Sequence, residues 1–68
     1  MKELMSKTRK LLVDTARQLF AQKGIDNTTM NNIALASGKG RRTLYTYFRS
    51  KTEVYEAVIE LSLIHISE

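Results

Sequence analysis

The feature that most constrains this fold is a set of four short segments in which apolar residues recur at helical spacing. In the first segment, Leu12, Ala16 and Leu19 lie three or four residues apart, which places them on one face of a helix. Helices this short are marginal alone in water, so their apolar faces must pack against each other. We therefore predict an all-α fold, a small helical bundle. The predicted helices cover residues 8–23, 30–37, 41–48 and a last segment from 51 onward.

Residues that start and stop helices separate these segments. Gly24 follows the first helix, where glycine provides a left-handed cap, and Thr29 stands at the N-cap of the second. Ser50 and Glu53 form an S-x-x-E capping box at the last helix. The Gly-Lys-Gly break at 38–40 fits the tight turn of a helix-turn-helix. We therefore predict a three-helix, homeodomain-like core with a helix-turn-helix, plus the start of a fourth helix. The predicted core residues are Leu12, Leu19, Phe20, Ile33, Leu44, Phe48 and Val58.

The composition argues against several classes of function. The 68 residues allow one domain at most, and with no Cys and one His we expect neither a disulfide nor a metal site. No paired carboxylates, Ser/His arrangement or phosphate-binding glycine loop is present, so we expect no enzyme activity and no cofactor. Without a long apolar run, we expect no segment that spans a membrane, and the absence of Cys and of a signal-peptide pattern favours a cytoplasmic protein.

Charge is distributed unevenly along the chain. Residues 39–51 contain five basic residues and no acidic one, whereas residues 52–68 contain four Glu and no Lys or Arg. A basic middle beside an acidic end is typical of a surface that binds a polyanion on one side. Nucleic-acid binding is one interpretation; a basic helical module that binds an acidic partner or a membrane surface is the alternative. The alternative is weaker, because the apolar stripe of the first helix is needed for the core.

The third predicted helix offers a face suited to DNA. Leu44 and Phe48 lie four residues apart with Tyr45 beside them, so these three are predicted to face inward, although the Tyr45 hydroxyl could still reach a phosphate. Arginine binds guanine or phosphate through a two-pronged fork, threonine offers a hydroxyl and a methyl, and tyrosine donates to phosphate. A helix of about two turns fits the major groove. The residues predicted to face outward are Arg42, Thr43, Thr46 and Tyr47.

Two helix starts add anion-binding positions to this face. Thr29 lies at the start of the second helix and Lys51 in the first turn of the fourth. Free backbone N–H groups and the helix dipole favour an anion at both places. Thr29 is an N-cap first and a phosphate ligand second, and both roles can share the site. The sequence thus predicts a phosphate clamp made of two helix starts and one basic helix.

The chain resembles TetR-family repressors over about residues 8–60. Its segment 43–51, T-L-Y-T-Y-F-R-S-K, matches the family pattern T-L-Y-x-[HY]-F-x-[ST]-K. Further matches lie at Leu19-Phe20, Gly24, residues 28–34 and Gly38.

The resemblance implies sequence-specific binding of double-stranded DNA by a transcriptional regulator, with residues 41–48 as the recognition helix in the major groove. It also implies a palindromic operator, a homodimeric full-length protein and a small-molecule effector bound by a domain that these residues do not include. Arg41, Arg42 and Thr43, at the start of the recognition helix, would contact base edges. The DNA-binding residues predicted in this way are Thr29, Arg41, Arg42, Thr43, Tyr45, Thr46, Tyr47 and Lys51.

Three positions depart from the family pattern. Lys39 stands where the family has a buried Val, Gly40 where it has a Ser N-cap, and Arg42 where it often has a small residue. The turn is therefore more basic than usual, and operator preference does not carry over. The DNA-binding domain is predicted to span residues 8–60. Residues 61–68 stop matching and are interpreted either as a non-native tail or as the truncated start of an effector domain.

Overall fold

The computed structural model describes the backbone of residues 7–66 and the side chains of residues 7–60. This part of the chain contains no strand, which confirms the all-α prediction. A 3₁₀ turn, Ile25–Asn27, joins the first two helices. The helices are α1 (Lys7–Lys23), α2 (Met30–Ser37), α3 (Arg41–Tyr47) and α4 (Lys51–Ile66).

The helix bounds match the predicted ones to within a residue. The helix α1 begins at Lys7 instead of residue 8, and α3 ends at Tyr47 instead of Phe48. Phe48 leaves the helix because its backbone is extended, with φ −136° and ψ 131°, while its N–H still donates to the Leu44 carbonyl. The helix α4 continues to Ile66, and a helical backbone there is compatible with both interpretations of residues 61–68.

One apolar core joins the helices, since α1 packs against both α2 and α4, and α2 packs against α3. Five of the seven predicted core residues are buried, whereas Leu19 and Phe20 are half-buried at its edge. Phe20 lies in the last turn of α1, where its ring meets that of Tyr55 edge-on with the centroids 6.0 Å apart. The buried apolar residues are Leu12, Val13, Ala16, Ile33, Ala34, Leu44, Phe48, Val54, Ala57 and Val58.

The prediction that Tyr45 faces inward is wrong. Its side chain is 47% exposed, whereas Leu44 is fully buried and Phe48 is nearly so. Successive helical residues are rotated by about 100° around the axis, so a two-turn helix that buries Leu44 turns its neighbour outward. The face of α3 opposite the core is therefore wider than the sequence predicts.

The connector between α1 and α2 is anchored from within by Thr28. This residue is completely buried, and its hydroxyl donates to the Gly24 carbonyl at 2.9 Å. The left-handed cap predicted at Gly24 is wrong in detail, because φ is 86° but ψ is 151°, outside the left-handed helical region. Gly24 instead opens the 3₁₀ turn, and its own N–H donates to the Phe20 carbonyl at 2.9 Å.

The turn between α2 and α3 confirms the predicted helix-turn-helix connection. Gly38 adopts the left-handed conformation, φ 76° and ψ 8°, and its N–H donates to the carbonyls of Ala34 and Leu35. Gly40 also has a positive φ, 87°, and its N–H donates to the Ala34 carbonyl at 3.4 Å. The positive φ angles at these two positions favour glycine at both. Lys39, between them, is exposed.

The start of α4 differs slightly from the predicted capping box. The box would bring the Glu53 carboxylate back to the N–H of Ser50. Instead, a Glu53 oxygen accepts from the N–H of Arg49 at 2.8 Å. The same carboxylate therefore ties α4 to the residue that follows the α3 cap, which fixes the short link between the two helices.

Candidate nucleic-acid interface

The helix α3 has an exposed face that is polar and basic and a buried face that is apolar. Leu44 fixes the helix in the core, and the capping Phe48 is 3% exposed. Thr43 is half-buried at the flank of this face. The exposed residues of the helix are Arg41, Arg42, Tyr45, Thr46 and Tyr47.

The two arginines at the start of α3 keep their charges available. Neither Arg41 nor Arg42 forms an ion pair with a carboxylate among the described residues. Both are exposed in the first turn of the helix, directly after the glycine turn. Two adjacent guanidinium groups at one end of a helix can bind phosphate or the guanine edge.

The Thr46 hydroxyl already donates a hydrogen bond within α3. It donates to the Arg42 carbonyl at 2.9 Å, one helical turn back. Its oxygen can still accept a hydrogen bond, and the residue is exposed. Such a side chain can accept from a cytosine or adenine amino group, or contact a thymine methyl.

The start of α2 is capped as predicted. The Thr29 hydroxyl accepts from the N–H of Asn32 at 3.1 Å, and the Asn32 side chain accepts from the N–H of Thr29 at 3.0 Å. This reciprocal pair uses Asn where glutamate or glutamine is usual, so the sequence pattern did not predict it. Because the Thr29 oxygen accepts in this pair, its own hydrogen can still be donated to a phosphate.

Lys23 contributes to the same helix start and is absent from the predicted site. Its ammonium donates to the Asn32 side-chain oxygen at 3.3 Å. The last turn of α1 thereby places a cation beside the first turn of α2. Nothing in the spacing of the sequence brings Lys23 to Asn32, since the contact depends on how the connector folds.

Lys51 is half-buried, and part of its bonding capacity is used inside the protein. Its ammonium donates to the Ile25 carbonyl at 2.7 Å. An ammonium group has three N–H bonds, so two remain for other acceptors. The predicted phosphate ligand is therefore also a contact between α4 and the connector.

An acidic flank borders the basic face. Glu53, Glu56 and Glu60 are exposed on α4 and line an open cleft together with Arg9 and Tyr47. In the same cleft, the Arg9 guanidinium lies 5.2 Å from the centroid of the Phe48 ring. Tyr47, predicted to bind phosphate, thus stands at the border between the basic helix and the acidic flank.

Within residues 7–60, no group of His, Cys, Asp or Glu side chains could hold a metal ion. No helix that the structure describes is long and apolar enough to cross a membrane.

Comparison with known proteins assigns the fold to a family. Residues 12–58 match the family model described as "Bacterial regulatory proteins, tetR family". The chain belongs to this family. No solved structure gives a significant match.

Named relatives of this tetR-family chain are regulators from several bacteria. It is 34% identical over 67 residues to the "HTH-type transcriptional regulator AcrR" of Shigella flexneri, which covers 98% of this chain and 31% of that protein. It is 46% identical over 52 residues to an uncharacterized regulator, YvaF, of Bacillus subtilis, covering 76% of this chain and 26% of the relative. The "Probable acrEF/envCD operon repressor" of Escherichia coli is 43% identical over 49 residues, 72% of this chain and 22% of the relative. The chain thus spans between about a fifth and a third of the length of these relatives.

Proposed function

We propose that this chain binds double-stranded DNA sequence-specifically as the helix-turn-helix domain of a transcriptional repressor. The observation that carries the proposal is the exposed, basic face of α3, held by Leu44 and Phe48 in the core. Membership of the tetR family and its relatives named as regulators support DNA-binding regulation of transcription. They do not favour the alternative, an acidic partner or a membrane surface.

In the proposed complex, α3 lies in the major groove. Its first turn supplies Arg41, Arg42 and Thr43, and its exposed side adds Thr46. A groove that admits one helix brings these side chains to base edges, which carry the sequence information. Arg42 is proposed as the reader of guanine, through two hydrogen bonds to O6 and N7.

The proposed phosphate contacts surround this helix. Thr29 and Lys51 stand at the starts of α2 and α4, where free N–H groups favour an anion. Tyr45 and Tyr47 are exposed on α3 with hydroxyl groups that can donate to phosphate. The exposure of Tyr45 supports this role over the core role that its neighbours in the sequence suggest.

Further properties are proposed for the whole protein on the basis of the family. They are homodimerisation, a palindromic operator whose two half-sites match a two-fold axis, and an effector bound by another domain. A bacterial regulator of this kind works where the chromosome is, so we propose the cytoplasm as its compartment.

Titrating duplex DNA with this chain at several salt concentrations tests the proposal. Binding to phosphates releases counterions, so the logarithm of the affinity should fall linearly with the logarithm of salt, by about 0.9 per neutralised phosphate. Arg41→Ala should weaken binding, whereas Lys10→Ala, an exposed charge on α1, should leave it nearly unchanged. Anionic vesicles should not displace the duplex. Displacement by vesicles, or affinity that is independent of salt, contradicts the proposal.

A further inference from the structure

The connector 24–28 sets where α2 begins, and therefore where Thr29 stands. Its inner side is anchored by Thr28, whose buried hydroxyl bonds the Gly24 carbonyl at 2.9 Å and lies 3.4 Å from the Leu19 carbonyl. These bonds attach the connector to the end of α1. The 3₁₀ turn is held in the same way, since the Asn27 side chain donates to the Lys23 carbonyl at 2.9 Å. All of these bonds join the connector to α1 or to itself, so its position relative to α4 depends on a second anchor.

Lys51 provides this second anchor from a distant part of the chain. Its ammonium reaches the Ile25 carbonyl at 2.7 Å, across 26 positions of sequence. The same carbonyl accepts the N–H of Thr28 at 3.2 Å. Hydrogen bonds from a charged donor are shorter and about twice as strong as neutral ones. Lys51 therefore joins the first turn of α4 to Ile25, whose carbonyl is also bonded to Thr28, the residue directly before Thr29.

We propose that Lys51 is a positioning residue, which holds the start of α2 in a fixed place relative to the start of α4 through the Ile25 carbonyl. Both helix starts then meet the DNA backbone as one unit. The two N–H groups that remain on the ammonium stay available for a phosphate, so positioning and contact are compatible. The DNA part of this inference rests on the proposed function, whereas the contact itself exists in the free protein.

The burial of the side chain distinguishes Lys51 from the other lysines that the structure describes. Lys10 and Lys39 are exposed, whereas Lys51 is half-buried. Lys23 also makes a hydrogen bond, but a longer one of 3.3 Å, and its acceptor is an exposed side chain instead of the backbone. A lysine that served only as a phosphate contact would not need a short bond to a main-chain carbonyl in the absence of DNA.

Hydrogen exchange in the free protein tests the contact. In Lys51→Met the Thr28 amide should exchange about tenfold faster relative to the Ala16 amide, because a hydrogen bond to a charged group is lost beside it. The Ala16 amide, in the core of α1, corrects for any general loss of stability. Lys10→Met should leave the ratio unchanged. An unchanged ratio in Lys51→Met overturns the inference.

A measurement on the wild type keeps the test independent of how well the variant folds. A hydrogen-bonded ammonium group exchanges its protons with water more slowly than a free one. The Lys51 ammonium should therefore exchange several times more slowly than that of Lys10 in nuclear magnetic resonance spectra of the unbound chain. Equal exchange rates overturn the inference.

A double-mutant cycle tests whether positioning matters for DNA. If Lys51 also places Thr29, the affinity lost on Thr29→Ala should be severalfold smaller in a Lys51→Met background than in the wild type, at one fixed salt concentration. Equal losses in the two backgrounds mean that Lys51 acts alone, and they overturn the positioning role. If the wild type fails to bind duplex at all, the proposed function fails, while the exchange measurements still decide the contact.

Discussion

Arg42 stands in the exposed first turn of α3 without an ion-pair partner among the described residues. Its long side chain can bond guanine in the major groove or a phosphate beside it, and these two contacts differ in what they recognise. A guanine contact selects one base pair, whereas a phosphate contact stabilises every duplex equally. Mutation of this residue separates the two.

Arg42→Ala should cost about 1–3 kcal/mol on the preferred site and relax selection at one base pair. The measurement is the affinity for the preferred duplex and for duplexes changed at single base pairs. Arg17→Ala, which removes an exposed arginine on α1, is the matched control and should have little effect. Equal loss of affinity on all duplexes, with base preferences intact, would show a phosphate contact.

Thr28 shows why some residues of this fold escape prediction. A threonine among polar neighbours looks like a surface residue, yet it is completely buried, and its hydroxyl donates to the Gly24 carbonyl. Lys51 is similar, since its contact with Ile25 joins residues 26 positions apart. Such contacts depend on the tertiary path of the chain, and neither periodicity nor spacing contains them.

Thr28→Val should destabilise the free protein by about 1 kcal/mol, because the hydrogen bond from the hydroxyl to the Gly24 carbonyl is lost, while that carbonyl still accepts from the Asn27 N–H. Urea unfolding, followed by circular dichroism, measures the change. Thr28→Ser keeps the hydroxyl and should recover much of the hydrogen-bond contribution. A Val variant as stable as the wild type would mean that the bond contributes nothing.

At the scale of elements, apolar periodicity and caps predicted the helices well, because each short helix needs one face in the core. The stripe of α1 and the N-cap at Thr29 are examples. The errors lie where a helix meets its neighbour. The helix α3 ends at Tyr47, one residue earlier than predicted, and the Glu53 carboxylate accepts from the N–H of Arg49 instead of that of Ser50. Both depend on the link between α3 and α4, whose geometry the local sequence does not determine.

The turn at Gly38 makes a prediction about backbone conformation alone. A Cβ atom added there meets nothing within 4 Å, so a substitution changes only the energy of the left-handed conformation. Gly38→Ala should destabilise the protein by about 1 kcal/mol. Gly38→Asn should cost less, because Asn tolerates this conformation better. Thermal unfolding of the two variants measures the difference, and equal stability of Ala and Asn variants would contradict it.

At the scale of the whole molecule, the fold keeps apart the basic and acidic residues that the sequence already groups into separate segments. The basic start of α3 and the acidic flank of α4 lie on different elements, and the cleft with Arg9 and Tyr47 lies between the acidic flank and α3. The charge pattern alone predicted a polyanion-binding side. Which residues of that side read bases is a property of the complex, so the predicted DNA-binding residues stay predictions.

Selection of bound sites from a randomised duplex pool tests the central claim most directly, because it asks whether this chain distinguishes sequences. The wild-type chain should enrich one shared motif, and Arg42→Ala should enrich a motif that has lost its preference at one base pair. Arg17→Ala should enrich the wild-type motif. A bound pool with no enriched motif would show that α3 does not read sequence, and it would contradict the account.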